Sequence, residues 1–386
     1  MFENRSEKIK LKKNYSKKNN LLLKSKRIKN NRCKGKINNN KIFNFLIIIL
    51  IIYILYKIIS AIIFKKSIKK EALNINNSNF SLNLSRNELY NILGNENDVE
   101  LFLKNKTLYY YKKRKYYLKK SKREYNESHL ITFQDKLNYL LIHESCEYKS
   151  LLVDKIRVRE YSQKKLGKNI CVPVLKIYNN TNEINLDELP EKFVLKCNHG
   201  SGMNILVKNK NNFNFKEAKI SLNKWMKKNF AFKFGEMQYL FVERKIFLGP
   251  YLGDNLSEYK IYCFNGKPKY IVVSKPLKED LHLYNYYNLD WTLSDIEPGV
   301  IGYIRDPSVI IEKPKHLNLM IEYAKILSNE FVFVRVDFYE VNDIVYLSEM
   351  TFSPTAIKMK FKNKEQSIYL GSLLDITKIK AYLFNN

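Results

Sequence analysis

The chain has 386 residues, 45% of them hydrophobic, enough for a sizeable core in one or two domains. Its formal net charge of +30 is uneven: about fifteen Lys/Arg against two Glu lie in residues 1–41, so the charge describes the N-terminus more than the folded body. Five cysteines without C-x-x-C spacing and five histidines without H-E-x-x-H argue against a disulfide framework or a zinc site, and buried free thiols are expected.

Residues 1–41 are rich in Lys and Asn, show little apolar periodicity and read as a basic disordered tail. The tail lacks interleaved aromatics, which disfavours nucleic acid as its partner. Residues 42–64, IFNFLIIILIIYILYKIISAIIF, are apolar over a length that crosses a bilayer. Lys57 sits near one end and can snorkel, no helical face is polar, and no small-residue cleavage site follows. A single-pass transmembrane helix anchored in the lipid bilayer is therefore expected, rather than a core helix or a cleaved signal. The heavier basic flank precedes the span and puts the N-terminus in the cytoplasm, against the pull of Lys65, Lys66, Lys69 and Lys70 behind it. The side that the C-terminal body faces stays open.

Residues 65–128 read as a stem or linker. Within it YYYKKRKYYLKKSKREY (109–125) mixes tyrosines with basic residues. A solvated amphipathic helix is expected there, with a surface for acidic lipids or a polyanion as the other reading. From 129 to 386 the texture becomes globular. Thr132 and Asp135 form a capping box ahead of Phe133, Leu137, Leu140 and Leu141, which share a helical face. A second helix is expected from Asp154, as N-cap, to Gly167. Strand-like runs follow in ICVPVLKIY, KFVLKC and NILVK, then a helix over 215–230, then LFVERKIF. EYKIYCFNGKPKYIVVS reads as a hairpin turning at Asn265-Gly266, residues 315–329 as a helix, and FVFVRVDFYEVNDIVYLSEM as two strands around Asn342-Asp343. Helices mixed with antiparallel hairpins argue for an α+β fold.

Asp337 and Glu349 each stand about six residues from the last turn, so pairing can bring both carboxylates to one face. Two facing acids suit a hard divalent cation, while Arg335, two residues before Asp337, offers the alternative of an ordinary ion pair. In FVLKCNHGSGMN a strand lysine, Lys196, precedes a loop with two glycines. Such a loop can bring backbone N–H groups to an anion, or it can be a plain hairpin; it is not a Walker loop.

Taken in order, VDKIRVREY, LPEKFVLKCNHGSGMN, FVERKIF, EYKIYCFNGKP and RVDFYEVNDIVYLSEMTFSP resemble the ATP-grasp superfamily, and its TupA-like branch most closely, over Thr132 to Pro354. The resemblance implies an ATP-grasp fold, two α+β subdomains clasping ATP. It implies that Lys155 and Lys196 contact ATP phosphates and that His199, Gly200, Ser201, Gly202, Met203 and Asn204 close over the triphosphate. Glu243 would meet adenine or ribose and Lys260 would face the cleft. Arg335 would approach the transferred phosphate, and Asp337, Glu349 and Thr351 would hold Mg2+. Thr351 stands where many ATP-grasp enzymes have Asn, and TFSPTAIKMKF lacks the glycines expected after TFSP.

The activity implied is ligation of a carboxylate to an amine, or a related nucleophile, through an acyl phosphate, on a glycan or cell-surface polymer. Phosphoryl transfer of this kind needs Lys, Arg and Mg2+ more than a strong acid–base pair. Two alternatives are a glycosyltransferase-like enzyme of polysaccharide biosynthesis, for which no D-x-D motif is present, and a degenerate ATP-binding scaffold.

Overall fold

A computed structural model describes residues 82–278, 281–296, 298–299, 303–380 and 383. The basic tail, the apolar segment 42–64 and the first part of the 65–128 stem lie outside the described residues. Among the described residues no helix is long and apolar enough to cross a membrane.

Three helices open the described chain: α1 (Arg86–Leu93), α2 (Glu96–Lys104) and α3 (Lys106–Lys120). They are followed by α4 (Phe133–His143), α5 (Cys146–Val153) and α6 (Val158–Leu166). A first sheet holds β1 (Lys176–Tyr178), β2 (Phe193–Cys197), β3 (Asn204–Val207) and β4 (Ile246–Pro250) in the order β1-β4-β2-β3, with α7 (Phe215–Met226) and the short α8 (Ala231–Phe234) between β3 and β4. A second sheet runs β11-β10-β5-β6-β7-β9, from β5 (Glu258–Phe264), β6 (Lys267–Lys278), β7 (Leu281–Asn288), β9 (Tyr303–Ile304), β10 (Phe333–Val341) and β11 (Ile344–Thr351). The pair β8 (Pro298–Gly299) and β12 (Lys360–Phe361) stands apart, α9 (Leu317–Ser328) precedes β10, and α10 (Lys364–Ser372) follows β12.

Local chemistry explains most boundaries. Thr132 caps α4 through the Asp135 N–H, and the Asp135 carboxylate returns the bond to the Thr132 N–H. The β5–β6 and β10–β11 turns use Asn265-Gly266 and Asn342-Asp343, with all four residues at positive φ, the conformation tight hairpins require. Period two then divides β10. Val334, Val336 and Phe338 are buried on the α9 side, while Arg335, Asp337 and Tyr339 take the other face.

Several expectations are corrected. The second helix is not capped by Asp154; it begins at Val158, and Asp154 instead accepts from the Ile156 and Arg157 N–H groups in the turn before it. Of ICVPVLKIY only Lys176–Tyr178 is strand, and LFVERKIF is strand only from Ile246. Helix α3 is not a solvated stem helix: Tyr109, Tyr110 and Arg114 on it are fully buried, and Tyr117 and Leu118 nearly so.

Candidate active site

The acid-bearing face of the second sheet is assembled by register. Asp337 is the direct partner of Glu349 on β11 and of Lys260 on β5. Arg335 is opposite Thr351, and Tyr339 opposite Glu258. A bulge after Asp337 leaves Ser348 as the extra residue on β11, so Ser348 joins its neighbour Glu349 on this side. Arg335 donates to both oxygens of Asp337, at 2.7 Å from Nε and 2.5 Å from Nη2, and reaches Glu349 at 3.3 Å and the Thr351 hydroxyl at 3.1 Å. Lys260 pairs with Glu258 and lies 3.4 Å from Asp337.

From the first sheet comes the β2–β3 hairpin, with Lys196 paired to Asn204. Its two glycines serve different ends. A Cβ on Gly200 would lie 2.5 Å from the Phe230 ring, so the close approach requires glycine, whereas Gly202 has φ +71° and open space around it. The Lys155 ammonium donates to the Gly200 carbonyl at 2.8 Å and lies 3.3 Å from Glu349, joining the glycine loop to the acid face. Among the described residues the N–H groups of Gly200, Ser201 and Gly202 have no acceptor, and Lys196 has no ion-pair partner.

Two cavities meet at this junction, of about 880 and 840 Å3, sharing Lys155, Lys196, Asn204, Glu258, Tyr339 and Ser348. The first has an apolar lining from Val194, Leu206, Phe247, Leu252 and Leu347. The second takes in Gly200 to Met203, Lys260, Arg335, Glu349 and Thr351. Electrostatics agree with the geometry. Burial would raise Glu349, but Lys155, Arg335 and Lys260 outweigh it and hold the carboxyl well below the usual range. Burial, then the neighbouring Lys155, lowers Lys196. Burial opposes charge on Lys260, yet Glu258 and Asp337 hold it well above the ordinary lysine value.

The structure thus gathers Lys155, Lys196, Lys260, Arg335, Glu349 and Thr351 with residues 200–204 around one space. Three expected residues are not on it. His199 is buried and its Nε2 donates to the Trp225 carbonyl at 3.1 Å, on the α7 side. Glu243 precedes β4 in irregular chain, and its exposed carboxylate pairs with Lys245. Asp337 is fully buried behind Arg335 and lines neither cavity.

Two residues that build the site had little signal in the sequence. Glu258 lines both cavities, and its place two residues before Lys260 on an alternating strand is the one clue to it. Asn198 binds three segments together: Nδ2 donates to Asp154 at 3.0 Å and to the Glu243 carbonyl at 2.8 Å, while Oδ1 accepts the Lys245 N–H at 2.8 Å.

An anionic ligand with an apolar end fits these linings, since free N–H groups and an unpaired lysine adjoin the apolar patch of the first cavity. For a divalent cation, no cluster of three His, Cys, Asp or Glu side chains occurs among the described residues. Glu349 and Thr351 nevertheless line the second cavity, a donor set that suits a hard cation drawing its remaining oxygens from phosphate.

The sequence model of the TupA-like ATPgrasp family matches residues 135–375, more than half of the chain. No curated protein matches significantly. Among solved structures, a D-alanine–D-alanine ligase from Bacillus anthracis complexed with ATP is similar at 15% identity over 69% of this chain and 83% of that one, with TM-score 0.37. A biotin carboxylase from Campylobacter jejuni, in complex with β,γ-ATP, is similar at 12% identity over 60% of this chain and 47% of that one, with TM-score 0.34. The ATP-grasp ligase PsnB, complexed with a precursor peptide and AMPPNP, is similar at 8% identity over 59% of this chain and 58% of that one, with TM-score 0.30.

Proposed function

The chain belongs to the TupA-like ATP-grasp family and has its α+β fold, and we propose that it is an ATP-dependent carboxylate–amine ligase. One observation carries this reading: Lys155 from the turn before α6, Lys196 from the first sheet, and Lys260 and Arg335 from the second gather about the ionised Glu349 where the two cavities meet. In this reading the wall of Val194, Leu206, Phe247 and Leu347 takes the adenine. The N–H groups of residues 200–202, with Lys155 and Lys196, take the phosphates.

Glu349 and Thr351 would hold Mg2+, with Asp337 holding Arg335 in place beside them, and the cation would neutralise charge on the phosphate oxygens. A substrate carboxylate attacks the γ-phosphorus, the bond to the bridging oxygen breaks, and ADP leaves. The nitrogen of an amine then attacks the acyl carbon, loses a proton and expels phosphate. Arg335 and Lys260 supply fixed positive charge where the phosphoryl group passes, which is the demand such a transfer makes.

The apolar run 42–64 supports a bilayer anchor with a cytoplasmic N-terminus, and the family resemblance supports a carboxylate carried on a glycan or surface polymer. A second reading, an ATP-binding scaffold without turnover, is favoured by the capture of both Asp337 oxygens by Arg335.

Purified full chain given Mg-ATP and a panel of uronates and amino acids is expected to release ADP only when carboxylate and amine are both present. Glu349→Gln should slow that release about 100-fold or more. ADP release insensitive to Glu349→Gln, or sugar transfer from a nucleotide-sugar without ATP, would overturn the ligase reading. Nucleotide binding with no turnover on any pair would support the scaffold.

A further inference from the structure

The far end of the second cavity is walled by two stretches, one carrying Phe234 and Glu236, the other Ser353, Thr355, Ala356 and Lys358. The second stretch is unusual. Thr355, Ala356 and Ile357 are consecutive non-glycine residues at φ 52°, 52° and 61°. Each carries a Cβ in the left-handed region, which sterics disfavour and which normally falls to glycine. A run of three persists only where its surroundings over-determine it.

Those surroundings come from α3 and the chain behind it, outside the residues matched by the family model. Arg114 is fully buried. Its Nε donates to Asn138 at 2.8 Å, Nη1 to the Phe234 carbonyl at 2.7 Å, and Nη2 to the Ala356 carbonyl at 3.3 Å. One guanidinium therefore ties both walls together. Arg123 adds a bond to the Ile357 carbonyl at 2.7 Å. Gly235 lets the helix approach: it has φ +67°, and a Cβ there would lie 2.9 Å from that of Tyr117 on α3. The Lys358 ammonium then lies 3.6 Å from the centroid of the Phe234 ring, closing one wall on the other.

We propose that Arg114 is a positioning residue for this site: from α3 it holds the left-handed turn 355–357 against the Phe234–Glu236 wall, shaping the end of the cavity where the second substrate of a ligation sits. The helix that reads as a stem in the sequence is thereby part of the site. The inference rests on the ligase reading for its meaning, but the hydrogen exchange that decides it is read without ligand, so the two fail separately.

Hydrogen exchange on the full chain reads the turn directly, because the Ala356 N–H donates to the Ser353 carbonyl at 2.9 Å and the Lys358 N–H to the Thr355 carbonyl at 3.1 Å. Arg114→Lys keeps the charge but cannot span three acceptors with one ammonium. Exchange at Ala356 and Lys358 is expected to quicken about tenfold, the equivalent of one lost hydrogen bond, with the Kd for Mg-AMPPNP changed less than about twofold. Adding Thr355→Gly and Ala356→Gly to Arg114→Lys is expected to return protection to within about threefold of native, because glycine takes positive φ without a clash. Arg123→Lys gives a milder probe in case Arg114→Lys does not fold, with about threefold faster exchange expected at Lys358. In the ADP-release assay, Arg114→Lys raises the KM for the amine and leaves that for ATP unchanged. Faster exchange spread through the whole chain and not rescued by the glycines would reduce Arg114 to a general fold support. That outcome, or unchanged exchange at the turn in both arginine variants, overturns the proposal.

Discussion

His199 shows how a residue beside a cavity-lining glycine loop can serve the fold. Its Nε2–H donates to the Trp225 carbonyl, while Nδ1 is buried without a partner, so a second proton there has nowhere to be accommodated. Burial, aided by Arg244 and Lys155, lowers its pKa to about 4 from an ordinary 6.5. Between those values the unfolded chain binds the proton and the folded chain does not. The contribution is complete above the unfolded pKa and is lost as pH falls through the window, by at most about 1.4 kcal/mol per pH unit. Urea unfolding at pH 7, 6 and 5 measures it. His199→Gln, which retains a side-chain N–H donor, is expected to flatten the slope over that range; an identical slope in the variant would contradict this burial argument. Asn198, next to it, has the opposite kind of importance. It carries no charge and lines neither cavity, yet it ties Asp154, Glu243 and Lys245 to one loop.

At the scale of elements, the β2–β3 hairpin and the β10–β11 hairpin bring the site together, one supplying Lys196 and free N–H groups, the other Arg335 and carboxylates. The first depends on two glycines for separate reasons, and these give separable outcomes. Gly200→Ala drives a Cβ into the Phe230 ring and is expected to cost about 1–3 kcal/mol as overpacking. Gly202→Ala meets only backbone strain, about 1–2 kcal/mol. Urea denaturation of both variants checks the order; Gly202→Ala as the costlier change would contradict it. Both hairpins were legible in the sequence because alternation and turn residues are local signals. The facing of Asp337 and Glu349 followed from counting outward from Asn342-Asp343, and the register bears it out. What Asp337 does with its carboxylate was not legible, since that depends on whether Arg335 folds back along its own strand. Glu243 lies off the cavity because strand β4 starts at Ile246, six residues after the run LFVERKIF begins. Helices α1 and α2 read as linker in the sequence, and α3 reads as a helix but as a solvated one. On α3 the buried face is three tyrosines, Arg114 and Leu118, mostly residues that read as polar until a partner surface is known, while α1 and α2 bury only two apolar side chains each.

On the scale of the whole molecule, both sheets contribute to the linings of the paired cavities, and α3 packs behind the walls of the second one at Phe234 and Ala356. Deleting residues 86–120 from the chain would uncover the partners of Tyr109, Tyr110 and Tyr117 and leave Asn138 and the Phe234 carbonyl without Arg114. Loss of a single cooperative unfolding transition is expected, read by circular dichroism during a thermal melt; an unchanged melt would show that these helices are dispensable. The charge balance of the site is also a property of the whole. Lys196 on one sheet and Arg335 on the other are brought to a shared space only by the fold, and Lys196 alone among these cations has no partner among the described residues. Calorimetric titration of the full chain with Mg-AMPPNP addresses that junction most directly. Saturable binding to the native chain, weakened about tenfold or more in Lys196→Ala, is the expected result. No saturable binding, or equal affinity in the native chain and Lys196→Ala, would contradict a nucleotide site at the meeting of the two cavities.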